Sequence, residues 1–117
     1  MGKVNVFGSI EEIEGLVKNT GCGFCIDIAH VLARYGKYEF DAIKKAFPQK
    51  KWHVHFSGIE YGEKGEKNHK VTPVEEWKKV LKFLEGLDKE VVLICESPDA
   101  VRDSVVAERL AQELKIN

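Results

Sequence analysis

Three short apolar runs, GFCIDIAH (residues 23–30), KKWHVHFSG (50–58) and VVLICES (91–97), alternate with segments of helical periodicity. That alternation limits the fold more than any other feature. Each run is too short for a buried helix and is bounded by turn or polar residues, so each reads as a strand. Ser9 and Glu12 form a capping box ahead of Ile10, Ile13, Leu16 and Val17, which predicts a helix over roughly residues 10–19, stopped by Gly21. Phe40, Ile43 and Phe47 share a second helical face, closed by Pro48. Thr72-Pro73-Val74-Glu75 supplies an N-cap, a first-turn proline and a capping glutamate for Val74, Trp77, Val80, Leu81 and Leu84, with Gly86 as the stop. Val101, Val105, Leu110 and Leu114 line one side of a last helix that begins between Asp99 and Ser104. Strands joined through helices must run parallel.

Three strands in 117 residues give about 39 residues per strand-helix unit. A complete eight-stranded βα barrel typically needs about 250 residues, so the length excludes one. The expected fold is therefore α/β, a partial (β/α) TIM barrel of three parallel strands with flanking helices, forming a single domain over residues 1–117. VVLICES, apolar throughout, should be buried on both faces. No apolar run approaches the ~18 residues of a membrane span, and MGKVNVFGSIEE lacks a signal-peptide core, so a cytoplasmic location is expected. Cys22, Cys25 and Cys95 are too few and odd in number for a disulfide framework. Lys and Glu abound while Asn and Gln total six, a lean toward a heat-loving source. Gly58 to Val71 reads as a long irregular connection, and such loops usually carry function.

The chemistry collects at the strand ends. Side chains alternate along a strand, so Ile26 and Ile28 pack one way while Cys25 and Asp27 face the other. His53 and His55 share a face, as do Ile94 and Glu96. Asp27, His55 and Glu96 thus close three successive strands, and His30 follows the first. Catalytic groups of parallel sheets gather at these carboxyl ends. A single carboxylate there is ordinarily a helix cap or a solvated loop residue, and a single histidine is ordinarily a satisfied core residue. Convergence of three argues for a cation, because imidazole and carboxylate form the ligand set of zinc, manganese and iron. Glu66 and His69 in the long connection add a further pair.

The Cys22-Gly23-Phe24-Cys25 pair lacks a second pair to complete a tetrahedral sulfur site, and both cysteines read as small buried apolar groups. Cys95 should face the helix layer. His53, deeper in the sheet than His55, reads as core or as support for the ligands. Residues 44–70 hold seven lysines (44, 45, 50, 51, 64, 67 and 70) against Glu60, Glu63 and Glu66, a local balance of +4 that brackets the candidate loop and suits phosphate.

GFCIDIAH with Asp27-x-x-His30, WHVHFSG with His55, the loop EYGEKGEKNHK, and LICESP with Glu96 together resemble the C-terminal part of the endonuclease IV family of apurinic/apyrimidinic endonucleases, in a form closest to its archaeal members. The opening GKVNVFGSIEEIEGLV is also similar to that family. The resemblance implies a βα barrel whose three zinc ions hydrolyse the phosphodiester 5′ to an abasic sugar in double-stranded DNA. It implies that Asp27, His55 and Glu96 share one zinc, with Asp27 and Glu96 taking part in catalysis, and that His30 and His69 hold a second. The family pattern in the loop is Asp-x-His, whereas this chain has Lys67-Asn68-His69, so Glu66 stands in for the acid.

The family's remaining two histidines and its bridging glutamate lie in an N-terminal half that this sequence does not hold. Its mechanism needs them. The expectation is a protein that acts with a partner carrying an N-terminal half-barrel, or self-associates as a homo-oligomer, because an open three-stranded sheet leaves two edges and its inner face uncovered. Two alternatives remain. One is a sugar isomerase or epimerase of the xylose-isomerase-like barrels, which would not need the Glu66 to His69 ligands; the other is a non-catalytic, metal-binding half-barrel.

Overall fold

In the computed structural model, residues 8–116 are described, apart from the side chains of residues 66 and 114–116. The first helix, α1 (Ile10–Thr20), starts where expected: Ser9 Oγ accepts from the Glu12 amide, and the Glu12 carboxylate accepts from the Ser9 amide. Gly21, at φ 69°, ends it by donating to the Val17 carbonyl.

The apolar run that follows is mostly not a strand. Only β1 (Ile26–Asp27) is extended, and α2 (Ile28–Tyr35) begins at the next residue. Asp27 supplies the reason, since its carboxylate caps α2 by accepting from the His30 amide at 3.0 Å. Ile26 and Ile28 are both fully buried, as expected. After α3 (Phe40–Ala46) comes β2 (Lys51–Phe56), and late in the chain β5 (Glu90–Cys95). These form one parallel sheet in the order β1-β2-β5, with Ile26 opposite Val54, Asp27 opposite His55, and His55 opposite Ile94.

The connection expected to be irregular is a β-hairpin, β3 (Gly58–Gly62) paired antiparallel with β4 (Gly65–Lys70). Thr72 does not cap α4 (Val74–Glu85); Pro73 occupies that position without a side-chain hydrogen bond. Thr72 instead ties the hairpin base, its hydroxyl accepting from the Gly58 amide and its amide donating to Asp103 Oδ2, each at 2.8 Å. The last helix, α5 (Ala100–Ile116), turns Asp103 and Ala107 inward rather than Val101 and Val105, which are exposed.

Trp52, Val54 and Phe56 of β2 are buried under Trp77, Val80 and Leu81 of α4, and Val91, Leu93 and Cys95 pack partly buried onto that core. The opposite sheet face is open. His53 and Cys25 are exposed there, and Val92 and Ile94 are 48% and 47% exposed. Burial of β5 on both faces is therefore corrected: α4 and α5 cover one side only. Placement of His53 in the core fails for the same reason, and Cys22 and Cys25 are exposed free thiols rather than buried apolar groups. Among the described residues no helix is long and apolar enough to cross a membrane.

Candidate metal centre

The parallel register sets the site. Asp27, the last residue of β1, and His55, the penultimate residue of β2, are Cα partners, and Glu96 follows the last residue of β5 on the open side of the sheet. One ligand atom from each of Asp27, His55 and Glu96 lies within 4.8 Å of the others. His55 Nδ1 contacts Glu96 Oε1 directly. Two further histidines join this group. The Nδ1 of His30 is 3.2 Å from Asp27 Oδ2, and Nε2 of His69, carried by β4, is 3.7 Å from Glu96 Oε2. The two rings lie 5.4 Å apart, centre to centre.

The sequence names five of these positions, and the fold brings all five together. For Glu66, the sixth, the side chain lies outside the described residues; its backbone stands opposite Tyr61 in the hairpin. Asp27 does what an isolated strand-end carboxylate ordinarily does, capping a helix, yet its carboxylate still lies within 4.8 Å of ligand atoms of His55 and Glu96. Sequence reasoning missed Ser57, whose hydroxyl is 2.8 Å from His69 Nδ1. Its signal was slight: a small polar residue two positions after His55, before a glycine.

The side chain of Asp27 is 14% exposed and that of Glu96 33%, so the group forms a graded wall with Asp27 at its floor. Burial pushes the Asp27 carboxyl above its ordinary value; His30 and its amide oppose this, Glu96 adds to it and His55 lowers it. The Cys25 thiol, though exposed, is likewise raised by partial desolvation and by the Asp27 and Glu96 charges. Two carboxylates held together against their repulsion, with imidazole nitrogens alongside, make a donor set that fits a divalent cation of the zinc, manganese or iron kind.

The lysines divide into two sets. Lys51 stands at the start of β2, about 13 Å along the strand from His55 at ~3.3 Å per residue, and lies 3.9 Å from Glu90. Lys64 at the hairpin tip and Lys67 and Lys70 on β4 are exposed on the element that carries His69.

An uncharacterized protein of Methanocaldococcus jannaschii is 33% identical to this chain over 129 aligned positions, covering 97% of the chain and 46% of the relative. The chain thus spans about half the length of the curated relative it matches. No protein-family model and no solved structure matches it significantly.

Proposed function

We propose that this chain is the metal-binding part of an endonuclease IV-like phosphodiesterase acting on abasic double-stranded DNA. The observation that carries the reading is the convergence of Asp27, His55 and Glu96, three residues from separate strand ends, within 4.8 Å. Asp27, His55 and Glu96 would hold one cation, and His30 and His69 a second beside it. Bound divalent cations would supply positive charge to a phosphate and acidify water. The open side of the sheet gives a phosphate direct access to these groups. Lys64, Lys67 and Lys70 on the hairpin would draw the nucleic-acid backbone toward the site. His69 beside Glu96 favours this reading over an isomerase, which has no evident use for a ligand from the hairpin.

The exposed Val92 and Ile94 would be covered by a segment corresponding to the part of the relative that lies outside the match, completing a barrel. Groups from that segment would complete the metal cluster. The test is incision of a duplex with one abasic site, in zinc, by this chain with and without that segment added. Cleavage 5′ to the lesion is expected only with both parts, and is expected to be lost in Glu96→Gln. Absence of cleavage from the combined, zinc-loaded parts would contradict the reading.

A further inference from the structure

Ser57 directly follows β2, is 1% exposed, and offers one hydroxyl to two neighbours. Its oxygen is 3.1 Å from the Gly58 carbonyl oxygen and 2.8 Å from His69 Nδ1. A hydroxyl has a single proton to give, and a carbonyl oxygen can only accept. With that proton on Gly58, only lone pairs remain toward His69, and a hydrogen bond between the two then requires the hydrogen on Nδ1. A neutral imidazole has one N–H, which leaves Nε2 bare. That bare nitrogen faces Glu96 Oε2 at 3.7 Å. Two electron-rich atoms so placed repel each other unless a positive charge lies between them.

We infer that Ser57 is a positioning residue: it holds His69 in the Nδ1–H tautomer and so presents Nε2 to the second cation, beside Glu96. This rests on the reading of His69 as a ligand. Histidine ligands commonly have their tautomer fixed in this way by a partner on the second nitrogen. The position of the hydroxyl is itself fixed from below. The Gly58 amide donates to Thr72 Oγ1 and the Thr72 amide to Asp103, both in buried surroundings. A Cβ on Gly58 would stand 2.9 Å from the carbonyl oxygens of both Lys70 and Val71, so the backbone beside Ser57 has little room to shift.

The experiment is imidazole nitrogen NMR on the 15N-labelled chain at about pH 8, where an ordinary histidine is neutral, followed through a zinc titration for the wild type, Ser57→Ala and Ser57→Thr. The expected result is Nδ1–H at His69 in the wild type, a mixture of tautomers in Ser57→Ala with zinc affinity lowered about 10- to 100-fold, and recovery of both in Ser57→Thr, which keeps the hydroxyl. An Nε2–H tautomer in the wild type overturns the inference while leaving His69 free to be a ligand. So does a Ser57→Ala protein with unchanged tautomer and affinity. A zinc titration that leaves the His69 resonances unmoved overturns the ligand reading instead, and this inference with it.

Discussion

Asp27 serves two ends at once, and substitution can separate them. One oxygen caps α2 through the His30 amide, the other lies 3.2 Å from His30 Nδ1, and the carboxylate offers one atom to the group with His55 and Glu96. Asparagine keeps a capping oxygen but loses the charge, whereas alanine loses both. Asp27→Asn should keep the fold's stability while weakening metal binding by at least about 100-fold, more than the loss of an outer partner ordinarily costs. Asp27→Ala should cost about 1 kcal/mol more in denaturant unfolding, the usual worth of a cap. A second titratable group lies outside the candidate ligand set. Burial, reinforced by the Glu76 carboxylate, pushes the Tyr38 phenol well above its ordinary value of about 10. Below that pH the phenol is neutral in both folded and unfolded chains. As pH rises past about 10 the unfolded chain ionises first, so stability must fall. Tyr38→Phe should flatten this alkaline slope in unfolding curves taken between about pH 9 and 11, and an unchanged slope would rule Tyr38 out as its source. The positions of Asp27, His55 and Glu96 were legible because strand alternation and a polar residue at or beside each strand's end are both written in the sequence. Ser57 was not, since its partner arrives from twelve residues away, across a hairpin whose pairing the sequence left unread.

The hairpin is the element on which the second half of the site depends. Its glycines suggested an irregular loop, yet β3 and β4 pair along their length with one irregularity between Glu60 and Tyr61. Gly58 is needed there because a side chain would meet two backbone carbonyl oxygens. Gly58→Ala should destabilise the protein by about 1–3 kcal/mol, the usual cost of overpacking. It should also lower the affinity of the cation held by His69 more than that of the cation held by Asp27, His55 and Glu96, readable as two separated steps in a zinc titration. Equal loss of both steps would show that the hairpin does not act through His69. The other misread element, α2, failed for a different reason. A run such as GFCIDIAH is apolar enough for either strand or helix, and periodicity cannot decide at that length. The capping bond of Asp27 decides it, and that bond is visible only with the backbone in place.

The two faces of the parallel sheet divide the molecule into a finished side and an open one. Trp77 is 1% exposed, packed 5.0 Å from the Phe56 ring, centre to centre. Trp77→Ala should cost about 3–5 kcal/mol, as large core truncations do. Val92 and Ile94, by contrast, are half exposed, so replacing both with threonine should shift stability by less than about 0.5 kcal/mol in this chain. Under the proposed function the same pair should also weaken association with the segment proposed to cover this face, measured by titration of one part into the other. The helix-covered side was legible from apolar periodicity, because α4 and Trp52, Val54 and Phe56 satisfy one another within the chain. The open side was misjudged for β5 because apolar residues read alike whether or not anything covers them. The site sits on that open side, and its chemistry can be put to one decisive measurement: zinc bound per chain, with the melting temperature, before and after chelation. The expected result is a bound ion whose removal lowers the melting temperature, since about a hundredfold excess over the dissociation constant stabilises by ~2.7 kcal/mol, with both effects lost in His55→Ala and Glu96→Gln. A chain that binds no zinc, manganese or iron, or binds zinc equally well without His55 and Glu96, would contradict it.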